Sequence, residues 1–379
     1  MADNATVEVF GTVFFDLVFS DLPAPARPGT EVRTKQLGLS PGGSANIAVA
    51  LARLGLRARL SAPFADDAFG HFLWESLERE GVDLSGSSLL RGWTTPLTVS
   101  LAYRKERSLV TYEEPVPQGP GNGAGDGDGA ANAWASLLDG GRGHGAPPGR
   151  EGSQANELAA CYLPLKGSER AWLEQARQRY GLLFADVGWD PAERWGGQLL
   201  EELSLVDVFL PNAAEAMAYT LSGSPREAAA TLSRYVPLAV VKCGDRGAVA
   251  AGQGLEDPLW VEALATEAVD TTGAGDVFDA AFIYGTLAGW PVEQRMRFAN
   301  LCAGQSVRYP GGSLSAPCWR DLAAWWASTD DEALRRNYAW IPELLKTCQL
   351  GQVCQRPCAT LPWHAGLGRP LETATTPTT

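Results

Sequence analysis

One heptapeptide limits the folds open to this chain more than any other stretch: Asp270-Thr271-Thr272-Gly273-Ala274-Gly275-Asp276. A β-prone Trp260-Val261-Glu262 precedes it, and Val277, Ala281, Tyr284 and Ala288 follow at helical spacing. The stretch therefore reads as a glycine-rich turn that opens a helix. Glycine lets a backbone come close to a ligand and reach positive φ. The free N–H groups of a first helical turn face an incoming anion, which the helix dipole also favours. Asp276 stands where a carboxylate takes the proton of a hydroxyl that attacks this anion. An anion-binding turn at Gly273, Ala274 and Gly275 with a base at Asp276 is the minimum for phosphoryl transfer to an alcohol. A simple chain reversal would explain the glycines, but not the two acids and two threonines around them.

A second glycine-rich junction lies near the N-terminus. Pro41-Gly42-Gly43-Ser44-Ala45-Asn46 runs into Ile47, Ala50, Leu51 and Leu54 and stops at Gly55. That periodicity predicts a helix packed closely on a sheet. Asn46, in its first turn, offers a polyol both a donor and an acceptor. A tight loop-to-helix junction accounts for the glycines equally well. Upstream, Val7 to Phe15 is rich in β-branched and aromatic residues and predicts one strand. Asp16 then sits at the end of this leading strand, either as an acceptor for sugar hydroxyls or as a surface turn residue.

The two junctions resemble the C-terminal and N-terminal signatures of the ribokinase/PfkB family of carbohydrate and nucleoside kinases, which read roughly D-T-x-G-A-G-D and G-G-x-x-x-N. They occur in the family's order, about 230 residues apart. The resemblance implies a ribokinase-like three-layer α/β/α domain with a mostly parallel central sheet. It also implies a small β-sheet lid, with strands within about residues 12–40 and 95–115. The implied reaction is ATP-dependent phosphorylation of a hydroxyl on a sugar or sugar derivative. Asp276 would be the general base, Gly273 to Asp276 the anion hole, and Asp16, Gly42, Gly43 and Asn46 the substrate contacts. Many sugar kinases carry an asparagine two residues before the substrate aspartate. Phe14 stands there instead, which weakens the expectation of ribose itself.

The rest of the chain alternates strand and helix. Arg57–Ala65 reads as a strand and Asp66–Arg79 as a helix with acids in its first turn. Thr95–Tyr103 and Ser108–Tyr112 read as two strands joined by the charged turn Arg104–Arg107. Ala159–Leu163, Leu182–Val187, Val206–Leu210 and Val236–Val241 read as strands, with a helix at Ser168–Tyr180. Such alternation builds a parallel sheet covered on both faces, with ligands at the carboxyl ends of the strands. Asp16, Asp186 and Asp190 all fall near such ends. After the third of these strands, Asn212-Ala213-Ala214-Glu215 fits a helix capping box. It also resembles the family's N-x-x-E motif, which implies that Asn212 and Glu215 help hold Mg2+, mainly through water. Lys242-Cys243-Gly244-Asp245-Arg246-Gly247 is a G-x-x-G loop able to cradle ATP phosphates, with Lys242 or Arg246 supplying charge. A hairpin turn fits it as well. The resemblance places Asn300, on a helix over Met296–Arg308, beside the adenine pocket. It further implies a monovalent cation such as K+ near Asp270, Thr272 and the backbone of Pro310–Ser313.

Composition sets the remaining bounds. The 379 residues, 45% hydrophobic, suffice for a large kinase domain over residues 1–330. Residues 118–157 are glycine-rich and cannot bury enough apolar area to order themselves, so a disordered insertion is expected there. Residues 331–379 read as a tail of unknown role. Cys348, Cys354, Cys358 and His364 in that tail lack a standard zinc spacing. The net charge of −13 argues against nucleic acid or an anionic membrane as partner. No apolar run is long enough to span a membrane, and the N-terminus lacks the features of a signal peptide, so a cytoplasmic protein is expected. Relatives commonly dimerise through the lid, and the same is expected here. Two rival readings stay open: a nucleoside kinase, with Phe14, Phe19 and Trp93 available to stack on a base, and a non-catalytic sugar-binding member.

Overall fold

Gly11 divides the first predicted strand. Its φ is +141°, and a Cβ there would stand 1.9 Å from Ser44 Oγ, so only glycine fits. The computed structural model describes residues 5–103, 106–117, 158–167, 170–188 and 195–348. In it Val7 to Phe15 is not one strand but parts of two, β1 (Thr6–Phe10) and β2 (Val13–Ser20), in separate sheets. Asp16 consequently lies in the middle of β2, not at the end of a leading strand. Asp190, the expected insertion at 118–157, and Cys354, Cys358 and His364 lie outside the described residues.

The remaining strands are β3 (Gln36–Gly43), β4 (Arg57–Ser61), β5 (Pro63–Ala65), β6 (Ser88–Leu90), β7 (Leu97–Tyr103), β8 (Glu106–Tyr112) and β9 (Leu158–Leu165). They are followed by β10 (Leu182–Val187), β11 (Val208–Phe209), β12 (Leu238–Lys242), β13 (Ala248–Gly252) and β14 (Leu259–Val261). The large sheet has eight strands in the order β14-β13-β12-β11-β10-β9-β1-β4. Pairing is parallel from β12 to β4, and antiparallel where β13 and β14 extend one edge.

Helices cover both faces. On one side lie α1 (Ser44–Arg53), α2 (Ala68–Arg79), α7 (Ala274–Leu287), α8 (Val292–Ser306) and α9 (Trp319–Ser328); on the other lie α3 (Arg170–Arg179), α4 (Gly197–Glu202), α5 (Ala213–Thr220) and α6 (Pro225–Leu232). Alternate residues of single strands feed the two cores. Val7 and Val9 pack with Ile47, Leu51 and Phe282, whereas Phe10 packs with Trp172 and Leu173. Strands buried on both faces explain the near-continuous apolar runs in the sequence. Among the described residues no helix is long and apolar enough to cross a membrane.

The small sheet runs β3-β2-β7-β8. Asp16 faces Ser40 on β3 and Thr98 on β7. Since side chains alternate, Phe14, Asp16, Val18, Ser40 and Ser100 share one face, and Leu17, Phe19, Val99 and Val110 share the other.

The ordered body continues past the expected boundary at residue 330. Helices α10 (Glu332–Asn337) and α11 (Ile341–Leu345) dock on it through the buried Tyr338 and Ile341. Trp340 packs against Trp290, with ring centroids 5.0 Å apart and the rings tilted by 59°. Aromatic side chains of this size bury enough area to hold such short helices.

One buried ion pair fixes the carboxyl end of α1. Arg53, fully buried, donates to Glu80 through Nε (2.8 Å) and Nη2 (2.9 Å), and through Nη1 to the carbonyls of Leu314 and Ala316 (3.2 and 2.6 Å). Arg53→Met leaves Glu80 charged and unpaired in the interior. It is expected to cost about 3–5 kcal/mol in denaturant unfolding, and a loss below about 1 kcal/mol would show that the pair is dispensable.

Candidate active site

The site is assembled where α7, α1 and the small sheet meet. Gly273, φ +74°, turns the chain into α7 in the left-handed region. A Cβ there would lie 3.2 Å from the Asn46 side chain and 3.3 Å from the Gly312 backbone. The turn is shaped by Asp270: Oδ1 accepts from Thr272 N (3.0 Å) and Thr272 Oγ1 (2.8 Å), and Oδ2 accepts from Gly311 N (2.8 Å). Residues 273–276 thus form the opening turn of the helix, with Ala274 N donating to Thr271 O at 3.3 Å.

Asn46 brings the two glycine-rich junctions together. Its Nδ2 donates to Asp276 Oδ2 at 2.7 Å, while its buried Oδ1 has no protein partner. A buried acceptor left unmet costs about 1–3 kcal/mol, so this atom is set for a hydroxyl from outside the chain. Asp16 lies alongside. A Cβ on Gly312 would come within 3.2 Å of Asn46 Oδ1, 3.3 Å of Ser40 Oγ and 3.4 Å of Asp16 Oδ2. Two further glycines are sterically required: a Cβ on Gly42 would collide with Asp16 Oδ2 at 2.1 Å, and one on Gly43 with Thr12 O at 2.4 Å. From the lid, Ser100 Oγ reaches Thr272 Oγ1 at 3.4 Å.

Of the three aromatic residues available to stack on a base, Phe14 alone is on the site face. Phe19 points to the opposite face of its sheet. Trp93 is buried, with Nε1 donating to Glu114 O at 3.3 Å.

Asn212 and Glu215 form the capping box of α5, each side chain accepting from the other's backbone N–H at 3.0 Å. Burial first, and the nearby Asp186 carboxylate second, push the Glu215 pKa up to about 7. Gly244 and Gly247 build the tight turn between β12 and β13. Gly247 has φ +97°, its carbonyl accepts from Cys243 N at 2.7 Å, and a Cβ would meet Val261 O at 2.0 Å. The hairpin alternative therefore accounts for these glycines.

Two expected nucleotide contacts are engaged within the protein. Asn300 is buried and donates to the carbonyls of Val261 and Glu262 at 3.2 and 3.1 Å. Lys242 Nζ bonds Asp186 at 2.7 Å and Asp279 at 2.8 and 3.0 Å. Burial would lower the lysine's pKa, but the two carboxylates outweigh it and hold the ammonium above its usual range.

The structure also adds residues that the sequence did not single out. Ser40 and Ser313 are 3.0 Å apart, and Ser313 Oγ donates to Pro41 O at 2.7 Å, joining Pro310–Ser313 to the substrate side. Asp279 was detectable as the lone acid among Val277, Phe278, Ala280 and Ala281.

A doubly covered, mostly parallel sheet with a four-stranded lid, a helix-terminal anion site and an adjacent carboxylate defines a ribokinase-fold phosphotransferase. The family model for pfkB family carbohydrate kinases matches residues 4–118 and 155–319. This chain belongs to that family, and it is an ATP-dependent sugar kinase. It is 24% identical over 327 residues to a ribokinase of Haemophilus influenzae, covering 82% of this chain and 95% of that protein. It is 26% identical over 293 residues to a 5-dehydro-2-deoxygluconokinase of Clostridium tetani, covering 74% and 81%. It is 27% identical over 345 residues to a fructokinase of Salmonella typhimurium, covering 84% and 98%. Among solved structures, a putative ribokinase from Agrobacterium tumefaciens superposes with a TM-score of 0.66 at 19% identity, over 86% of this chain and 100% of that one.

The raised Glu215 pKa fixes the sign of a pH effect. The folded state holds this proton up to about pH 7, whereas the unfolded carboxyl releases it near 4.5. Its contribution to stability therefore falls as pH rises between those values. Glu215→Gln keeps the cap and removes this penalty. The variant is expected to gain about 2 kcal/mol on the wild type between pH 5 and pH 8, measured by urea unfolding; a gap independent of pH would refute it.

Proposed function

We propose that Asp276 is the general base for in-line transfer of the γ-phosphoryl group of ATP to a sugar hydroxyl. The observation that carries this is the Asn46 bridge, which aims one amide atom at Asp276 and leaves the other without a partner, beside Asp16. In this reading Asp16, Asn46 and the backbone at Gly42 and Gly43 hold the acceptor. Asp276 takes its proton, and the N–H groups of Gly273, Ala274, Gly275 and Asp276 stabilise charge on the transferred group. Gly244 and Gly247 line the nucleotide side.

Asn212 and Glu215 would hold Mg2+ mainly through water, and the ion would supply positive charge to offset that of the phosphates. The donor set fits: two oxygen-bearing side chains beside a half-buried carboxylate, Asp186. Asp270 and Thr272 with neighbouring carbonyls would take K+. A sugar is favoured over a nucleoside because Phe14 is the one aromatic group of the three set toward the site. An ATP-dependent reaction of this kind suits the cytoplasm, where ATP is supplied.

The test is ADP release with Mg-ATP on ribose, fructose, 5-dehydro-2-deoxygluconate, adenosine and inosine. Turnover is expected on a sugar, with Asp276→Asn slower by about 10²–10⁴. An Asp276→Asn enzyme with undiminished kcat would sink the assignment.

The outer lid face is apolar and partly open, with Val110 63% and Tyr112 46% exposed, alongside Leu17, Phe19 and Val99. We infer that a second copy of the chain covers it. Sedimentation is expected to show a dimer that Val110→Asp converts to monomer; a monomeric wild type at micromolar concentration would rule it out.

A further inference from the structure

Lys242 has been drawn away from the role its sequence position suggests. It ends β12 next to Asn212, with which it forms a parallel bridge, and its own N–H donates to Pro211 O at 2.9 Å. Its ammonium lies at the carboxyl edge of the sheet and is only 11% exposed. Nζ bonds Asp186 Oδ2 at 2.7 Å, and Asp279 Oδ2 and Oδ1 at 2.8 and 3.0 Å. An ammonium has three protons, so these three contacts use its hydrogen-bonding capacity. Asp186 belongs to β10. Its other oxygen accepts from Val187 N at 2.8 Å, which fixes the carboxylate. Asp279 is fully buried on the inner face of α7, one turn beyond the base. The third neighbour is the anion-binding turn: a Cβ on Gly275 would lie 3.6 Å from Nζ.

A lysine between two carboxylates in an interior is a poor device for stability alone. Desolvation of the three charges consumes most of the attraction, and apolar residues of like volume often do as well. What apolar residues would not supply is a fixed positive charge next to Gly275 in the first turn of α7. Fixed charge in a water-excluded site stabilises developing negative charge without reorganising. Asp279 on α7 and Asp186 on the sheet also make Lys242 a strut across the cleft, holding the first turn of α7 at a set distance from Asn212 and Glu215.

We propose that Lys242 is a positioning residue for phosphoryl transfer: clamped by Asp186 and Asp279, it fixes the first turn of α7 against the sheet and keeps its charge under the anion-binding turn without contacting the nucleotide. This rests on the assignment of Asp276 and residues 273–276 given above.

The test compares Lys242→Met, Lys242→Met/Asp279→Asn and Asp279→Asn with wild type and Asp276→Asn in one ADP-release assay. The double variant removes one charge of each sign and so leaves no added buried charge. It is expected to fold with a near-wild-type Tm, to lose about 10–100-fold in kcat, and to keep KM for ATP and sugar within about threefold. Asp279→Asn keeps the lysine and loosens one arm of the clamp; about a fivefold loss of kcat at unchanged KM is expected, and it decides the matter where the double variant does not fold. A folded double variant with wild-type kcat would make the triad purely structural. A tenfold rise in KM for ATP at unchanged kcat would make Lys242 a nucleotide ligand. Either result overturns the proposal. If Asp276→Asn keeps its activity, the underlying site assignment fails instead, and the two failures are told apart.

Discussion

The hydrogen bond from Asn46 to Asp276 joins segments 230 residues apart in the chain, and the rest of the site is arranged so that it can form. Asn46 is in the first turn of α1 and Asp276 in the first turn of α7, so the bond requires two helix N-termini to converge. Side chains at the approach points would keep them apart. Glycine at 273 and 312 removes those obstacles, and glycine at 43 and 273 permits the positive φ that turns the chain into each helix. Behind the junction Arg53 anchors residues 314–316 to the far end of α1, which keeps Gly312 pressed on Asn46 and Asp16. A surface-exposed version of these contacts would be worth little. Buried, each is a geometric constraint on its neighbours.

The charge distribution follows the same logic. Asp186 and Asp279 bond the Lys242 ammonium at the carboxyl edge of the sheet, and Glu215 and Asp276 act electrostatically on this cluster. Glu215 holds its proton more tightly than usual because burial and Asp186 both oppose its ionisation. An incoming cation would reverse that balance, since a positive charge favours the carboxylate. The protein thus holds more negative charge here than it can neutralise itself, which suits a site for magnesium with phosphate.

Most of this site was legible because it consists of short, contiguous motifs whose chemistry depends on residue type at fixed spacing. The turn at 270–276, the junction at 41–46 and the cap at 212–215 keep the same backbone roles in the structure that the sequence suggested. What was not legible depends on tertiary partners. Val7–Phe15 has uniform β propensity, and nothing local marks Gly11 as the point where the chain leaves one sheet for another. Lys242 and Asn300 carry groups suited to a nucleotide, yet Asp186, Asp279 and the carbonyls of Val261 and Glu262, distant in sequence, had already claimed them. The two short helices beyond residue 330 were not legible because they owe their order to Tyr338, Trp340 and Ile341 packing on α8 and Trp290, which no local signal reports.

The lid completes the physical argument. A kinase that activates a hydroxyl for attack on phosphate must keep water, a competing nucleophile at far higher concentration, from the same position. Two devices here serve that end. The site face of the small sheet carries Asp16, so under the proposed function the surface that binds the acceptor is also the surface that covers it. The Ser100–Thr272 contact joins this cover to the loop that opens the anion site. Thr272 is in turn held by Asp270, which also holds Gly311. Closing the lid and shaping the anion site therefore draw on one hydrogen-bonded chain, Ser100 to Thr272 to Asp270 to Gly311. A bound sugar that seats Asp16 would tighten that chain from the lid end, coupling acceptor binding to the geometry of transfer.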